Sequence, residues 1–252
     1  QRGVERGSHV VLVSGDPHGF LAIFWACLLG GFKPVPVGAD RKMEAAKRIR
    51  GLLELLGPEA IVTAPDGLCR QLQKQVQREV LAQAELLREG SPDMAKPVQS
   101  TGSETAFLQF SSGSTARPKG IRLSHSNLLH NIGSIAGSQG GSSKDRFLSW
   151  LPLFHDMGLI GYHLIPLVLG AEQNLMPPSL FLKDPMIWIE TMHRKRATVS
   201  ASPSSGLAYT LRRLDQERLD GLDLGRMHCL LNGAEPICCA TMERFCDALS
   251  PA

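Results

Sequence analysis

Apolar positions along the chain alternate between two patterns, and that alternation is the first structural signal. His9–Ser14 is a short β-branched run ended by Gly15-Asp16-Pro17, which predicts a buried strand and a turn. Phe20, Ile23, Phe24, Cys27 and Leu28 then recur at helical spacing until Gly30-Gly31 stops them. Lys33–Val37 reads as a second strand, Ala45–Leu56 as a helix, and Ala60–Thr63 as a third strand. Leu68–Leu87 reads as one polar surface helix rich in Gln and Arg. Buried strands alternating with amphipathic helices predict an α/β fold, with mostly parallel β-sheets flanked by helices.

The pattern dissolves between Arg88 and Glu104 into Gly, Ser, Pro and Lys, the composition of an exposed connection. It resumes with a strand at Thr105–Phe110. Further strands are predicted at Arg146–Trp150, Ala171–Met176, Ala197–Ala201 and Met227–Leu231, with helices between them and no internal repeat. The expected organisation is a first α/β subdomain over 1–87, a connection over 88–104, and a second α/β subdomain over 105–252.

Composition narrows the function classes. The chain has 252 residues, 43% hydrophobic and 20% charged, which excludes a disordered tail, a coiled coil or a collagen-like repeat. A net charge of +3 gives no reason to expect a nucleic-acid partner. The longest apolar stretches, such as Phe20–Leu29, are too short to span a bilayer. With no secretory or transit segment at its start, the expected location is the cytoplasm. The six cysteines form no C-x-x-C pair and read as buried thiols, ahead of a zinc site or a disulfide framework. No metal site is expected from them. There is no initiator Met, a strand begins within nine residues, and the chain stops just after a helix. The expectation is a piece of a longer protein.

Three short segments carry chemistry. The densest is F-S-S-G-S-T-A-R-P-K-G at Phe110–Gly120. Gly113 and Gly120, the hydroxyls of Ser111, Ser112, Ser114 and Thr115, and the cations Arg117 and Lys119 suit a polyphosphate. It is not a Walker-type loop, because Pro118 stands directly before the lysine. A plain Ser/Gly linker is the bland alternative. Pro118-Lys119-Gly120 and the strands on both sides argue against it.

The second segment, W-L-P-L-F-H-D-M-G-L-I-G at Trp150–Gly161, turns at Pro152 and delivers His155 and Asp156 to the start of a helix. Alone, His155 reads as a hydrogen-bonded core residue. The third, Asn232-Gly233-Ala234-Glu235-Pro236, follows a strand directly. Its small residues let the backbone approach a flat ligand, and Glu235 offers an acceptor. Taken together, the three segments read as loops at the carboxyl ends of strands in one α/β sheet, where such sheets bind ligands.

S-S-G-S-T-A-R-P-K-G resembles the phosphate-binding signature of the adenylate-forming superfamily: acyl-CoA synthetases, fatty acyl-AMP ligases and the adenylation domains of nonribosomal peptide synthetases. L-P-L-F-H-D-M-G-L-I-G paired with N-G-A-E-P most resembles the fatty acyl-AMP ligase branch, and the likeness runs over nearly the whole chain. The resemblance implies the large N-terminal domain of that fold, incomplete and without its C-terminal lid. It also implies the reaction of a fatty or aryl carboxylic acid with ATP and Mg²⁺ to acyl-AMP and pyrophosphate. The acyl group would then pass to the phosphopantetheine of an acyl carrier protein, as in the loading ligases of polyketide and nonribosomal peptide pathways, or to CoA. A non-catalytic adenylate-binding module is the alternative of a different class.

Carried onto this chain, the resemblance places Ser111, Ser112, Gly113, Ser114, Thr115 and Lys119 around the β- and γ-phosphates. His155 would lie by the α-phosphate and the acyl carboxylate, with Asp156 beside it, so that His155 and Lys119 are the expected catalytic pair. Asn232, Gly233, Ala234, Glu235 and Pro236 would flank the adenine. Ser202, Ser204, Ser205, Gly206 and Leu207, with Met157 and Gly158, would line the acyl tunnel, and the small residues Ser204–Gly206 imply an open passage. Two positions depart from the family pattern. Ala116 stands where Gly is usual, and Ser204-Ser205 stand where the branch often has Asn and Phe.

Overall fold

The computed structural model describes residues 5–38, 42–88, 96–111 and 119–250, and it divides by contacts into two compact units, Gln1–Asn131 and Ile132–Ala252. The first unit runs β1 (His9–Val13), α1 (Pro17–Gly30), β2 (Lys33–Val37), α2 (Lys42–Leu56), β3 (Ile61–Ala64), α3 (Asp66–Val76), β4 (Val80–Ala82) and α4 (Gln83–Arg88). It continues with β5 (Thr105–Ser111), β6 (Lys119–Ser124) and α5 (His125–Gln139), whose last turns pass into the second unit.

Four parallel strands in the order β2-β1-β3-β4 form its main sheet. β1 is central, and Val11, Leu12 and Val13 are wholly buried, as a strand covered on both faces requires. Local chemistry starts and stops α1. Asp16 Oδ2 accepts the Gly19 N–H at 2.9 Å, Pro17 opens the helix, and Gly31 (φ 75°) closes it in the left-handed conformation.

One expected helix is instead three elements. Within 68–87, Gln77 (φ 54°) ends α3, Val80–Ala82 joins the sheet beside β3, and α4 follows. The buried Gln83 donates to the Val13 carbonyl at 2.8 Å and fastens α4 to the central strand.

β5 and β6 form a separate antiparallel ribbon. Phe107 packs its ring edge-on against Phe24 of α1 at 5.6 Å, so the ribbon belongs with the first unit. Contacts therefore group Thr105–Asn131 differently from the sequence reading, which places these residues in the second subdomain.

The second unit runs β7 (Arg146–Ser149), a π-helix (Met157–Leu164), α6 (Ile165–Leu169), β8 (Glu172–Leu175), α7 (Pro178–Lys183) and α8 (Met186–Lys195). Then come β9 (Val199–Ser202), α9 (Ser204–Leu211), α10 (Gln216–Leu219), β10 (Cys229–Asn232) and α11 (Cys239–Leu249). Its parallel sheet has the order β10-β9-β7-β8. From β7 the chain leaves towards β8, and from the adjacent β9 it leaves towards β10. The two connections diverge, so a topological switch point lies at the carboxyl ends of β7 and β9.

An aromatic stack holds the layer beneath that point: Trp150 lies flat on Phe181 at 3.7 Å, and Trp188 meets both rings edge-on. At the opposite end of the sheet, buried Asp145 accepts hydrogen bonds from Thr198 Oγ1 (2.9 Å), His228 Nε2 (2.8 Å) and the Ser142 N–H (2.7 Å), tying the starts of β7, β9 and β10 together.

The cysteine expectation needs correction. Cys27 and Cys69 are buried and Cys229 partly so, but Cys238, Cys239 and Cys246 are exposed on α11 and its cap. No helix of the described residues is long and apolar enough to cross a membrane.

Candidate active site

Two of the three sequence-predicted segments meet at the switch point of the second unit. After β7, Ser149 Oγ accepts the Leu151 N–H at 3.0 Å and bends the chain. The Pro152 carbonyl accepts the His155 N–H at 3.1 Å, and the His155 carbonyl accepts the Leu159 N–H at 2.9 Å. This turn has no room for a side chain at its base. A Cβ on the buried Gly158 would fall 2.3 Å from the Pro152 carbonyl oxygen.

The turn presents a charged pair. His155 Nδ1 lies 2.7 Å from Asp156 Oδ1, the oxygen that also accepts the Met157 N–H at 2.7 Å and so caps the π-helix. The Asp156 hydrogen bond lifts His155 above its ordinary value despite partial burial, and the same bond lowers Asp156. With Nδ1 held by Asp156, Nε2 is the ring's remaining polar atom. At 47% and 61% exposure the two side chains remain open to a ligand.

The N-G-A-E-P segment stands next to this turn. A Cβ on Gly233 would lie 3.8 Å from the Met157 methyl. Ala234 occupies the left-handed region (φ 68°), which costs a non-glycine residue of order 1 kcal/mol and is held here by its neighbours. On one side the Asn232 amide lies 3.1 Å from Ser204 Oγ, which also accepts the Cys238 N–H at 3.1 Å. On the other, the Glu235 carboxylate accepts the Ser205 N–H and, at 3.2 Å, the Ser205 hydroxyl. α9 has no cap of its own, because Pro203 precedes it. Glu235 supplies that cap from a distant loop. Each oxygen of the acceptor read from the sequence thus takes one hydrogen bond from Ser205, a long-range contact without a local sequence signal, and the exposed carboxylate keeps further lone pairs.

The expected open passage at Ser204–Gly206 is not open at Gly206. That residue is buried, and a Cβ on it would fall 2.3 Å from Ser202 Oγ and 2.8 Å from Trp150 Cζ2. Ser204 and Leu207 are buried beside it, Ser202 is buried at the end of β9, and Ser205 is exposed. Trp150, read from the sequence only as a strand end, fills the space under α9.

The Phe110–Gly120 segment belongs to the first unit. Its loop connects the two strands of the antiparallel ribbon, closed by the pair Ser111–Lys119, and does not leave the sheet that carries His155. Lys119 is exposed at the start of β6. Ser112, Gly113, Ser114 and Thr115, with Ala116 to Pro118, lie outside the described residues, as does the Ser111 side chain. Among the described residues no three His, Cys, Asp or Glu side chains gather to hold a metal ion.

Comparison with known proteins identifies the family. The family model of the AMP-binding enzymes matches residues 1–251. The long-chain-fatty-acid–AMP ligase FadD26 of Mycobacterium marinum is 31% identical over 97% of the chain and 44% of its own length. The medium-chain-fatty-acid–[acyl-carrier-protein] ligase TtuA of Teredinibacter turnerae is 38% identical over 56% of the chain and 22% of its own length. Among solved structures, the fatty acyl-adenylate ligase from L. pneumophila, in complex with acyl adenylate and pyrophosphate, superposes with a TM-score of 0.86 at 32% identity. That likeness covers 99% of this chain and 44% of the other. The chain spans less than half the length of the first curated relatives it matches.

Proposed function

The chain belongs to the AMP-binding enzyme family, within the adenylate-forming ligase superfamily, and from that premise we propose that it carries the nucleotide and acyl sites of a fatty acyl-AMP ligase. The observation that carries the reading is the His155–Asp156 pair at the switch point, in contact range of the Gly233 loop through Met157. Among the described residues, a titratable pair, a strained loop and the carboxyl ends of parallel strands coincide there.

The reaction is attack of a carboxylate oxygen of a fatty or aryl acid on the α-phosphorus of ATP. A new P–O bond forms, the bond from the α-phosphorus to the bridging oxygen breaks, and pyrophosphate departs. Two anions must be brought together, so cations and donors dominate the catalysis. The raised proton affinity of His155 keeps it cationic further into the neutral range than a free histidine, suiting it to the α-phosphate and the carboxylate. Lys119, with Ser111, Ser112, Gly113, Ser114 and Thr115, would hold the β- and γ-phosphates. Mg²⁺ would enter as the counter-ion of those phosphates and neutralise charge on the leaving group.

Asn232, Gly233, Ala234 and Pro236 would lie against the adenine, with Glu235 fixing that loop to α9. Asp156 holds His155. The acyl group would run past Met157 and Gly158 towards Ser202, Ser204, Ser205 and Leu207, over the Trp150–Gly206 contact as its floor. In the second half-reaction a phosphopantetheine thiol of an acyl carrier protein attacks the acyl carbonyl and releases AMP. The carrier is favoured over CoA by the relative named for an acyl-carrier-protein substrate. The setting is a cytoplasmic loading ligase of polyketide or nonribosomal peptide assembly.

The test is acid-dependent ATP–pyrophosphate exchange by the full-length protein across a panel of fatty and aryl acids. Exchange that requires a fatty acid and falls at least tenfold in Lys119→Ala supports the reading. Nucleotide binding without exchange for any acid would establish a binding-only module instead.

A further inference from the structure

The helix that follows His155–Asp156 has an uncommon register. Over Met157–Leu164 it is a π-helix, and at its end the Ile165 N–H bonds to the Ile160 carbonyl, five residues back. Such wide turns are rare and occur often at functional sites.

In the middle of this helix stands Tyr162, 1% exposed. Its ring packs edge-on against Phe147 of β7 at 5.8 Å. Its hydroxyl has no hydrogen-bond partner among the described residues. Burying a hydroxyl unpaired is costly, and phenylalanine would fill the same space without that penalty. The neighbouring side chain shows the contrast: His163 Nδ1 meets Gln173 Oε1 of β8 at 2.9 Å. Burial, then the Cys229 thiol nearby, hold the Tyr162 phenol well above its usual ionisation range, so it stays a donor at any working pH.

Two uncommon features, a π register and an orphaned hydroxyl, thus occupy one helix that directly follows the His155–Asp156 turn. Both are explained if the free state is not the state the helix serves. A ligand shifts such an equilibrium only by binding the second state better, and a hydroxyl that gains a partner there supplies part of that difference. We propose that Tyr162 is a positioning residue: in the free protein the π register leaves its hydroxyl unpaired, and adenylate binding at the His155 end shifts the helix to a register in which the hydroxyl is bonded and the His155 turn is set. The inference rests on the assignment of His155 to the adenylate site.

The experiment compares wild type, Tyr162→Phe and His155→Ala in the full-length protein, by free-state Tm and by kcat and KM for ATP in pyrophosphate exchange. Tyr162→Phe is expected to keep or raise the free-state Tm, because it removes an unpaired group. Its kcat should fall about tenfold, the value of one hydrogen bond made only after binding, with KM for ATP within about twofold. A further readout is the Tm rise produced by a non-hydrolysable acyl-sulfamoyl adenosine, which should be smaller in Tyr162→Phe than in wild type.

A purely structural tyrosine would show the opposite signs. A lower free-state Tm means that the hydroxyl already has a partner, such as an enclosed water, and overturns the proposal; so does an unchanged kcat. If His155→Ala loses exchange while Tyr162→Phe does not, only the role of Tyr162 falls. If His155→Ala is itself unaffected, the site assignment falls and the inference with it.

Discussion

Glu235 caps helix α9 at Ser205 from thirty residues away, accepting both the backbone N–H and the hydroxyl. Pro203 leaves the helix without a local cap, and Ala234 next to Glu235 holds a left-handed backbone. One carboxylate thus serves two ends: it satisfies α9 and over-determines a strained loop proposed to lie on adenine. Glu235→Ala should lower stability by about 1 kcal/mol, the usual value of a lost cap. It should weaken ATP binding more than it weakens acid binding. Thermal unfolding and separate titrations of the two ligands check this; equal loss for both would mean that the clasp does not serve the nucleotide loop.

The glycines of the site differ in what blocks a side chain. At Gly158 the obstacle is the Pro152 carbonyl at 2.3 Å, part of the backbone turn that carries His155. At Gly206 it is the Trp150 ring, stacked on Phe181, together with the Ser202 hydroxyl. Gly158→Ala should therefore abolish most exchange activity and cost about 1–3 kcal/mol. Gly206→Ala should cost a similar amount through displacement of Trp150, with loss across all acyl chain lengths, because that position is packed. Activity against a panel of acids, read beside Tm, separates the two.

Asp156 raises the proton affinity of His155, and the sign of the consequent pH dependence is fixed. A cationic His155 is present below its raised value and is lost as pH rises through it. Adenylation should fall on that alkaline limb. Asp156→Asn removes the raising partner, so the limb should move to lower pH. A pH profile of kcat/KM whose alkaline limb is the same in both proteins would exclude His155 as the titrating cation.

At the far end of the same sheet, burial opposes the charge on Asp145, but hydrogen bonds from His228, Ser142 and Thr198 outweigh it and lower its proton affinity. A carboxyl group depressed in the folded state contributes stability above its unfolded value and loses it as pH falls through the folded one. Asp145→Ala should cost about 1–2 kcal/mol at neutral pH, because it removes the acceptor of the partly buried Thr198 hydroxyl and of the Ser142 N–H. The difference from wild type should shrink as pH falls below the ordinary carboxylate range. Denaturant unfolding at several pH values measures it.

How far the sequence could be read depends on the range of the force involved. β2 has the bounds read from Lys33-Pro34-Val35-Pro36-Val37, because a buried parallel strand must be apolar on both faces. α1 was legible from Asp16, Pro17 and Gly31, whose effects reach one turn. The break at Gln77 was not: a left-handed glutamine carries no glycine signal, and the three-residue β4 is too short to show a period. The π register was hidden for a related reason, since an apolar run such as Met157–Leu164 looks alike at either spacing. Glu235 on Ser205 and Trp150 on Gly206 are long-range facts. No window of neighbouring residues contains them.

The most direct test of the central claim follows oxygen. The full-length protein is incubated with a fatty acid labelled with ¹⁸O in its carboxylate, ATP, Mg²⁺ and a phosphopantetheine-bearing carrier protein. If the carboxylate attacks the α-phosphorus and the thiol then attacks the acyl carbon, one ¹⁸O is left in the AMP released, with none in pyrophosphate. His155→Ala should slow appearance of that label at least tenfold. Label in inorganic phosphate, or thioester formed with unlabelled AMP, would contradict adenylation at this site.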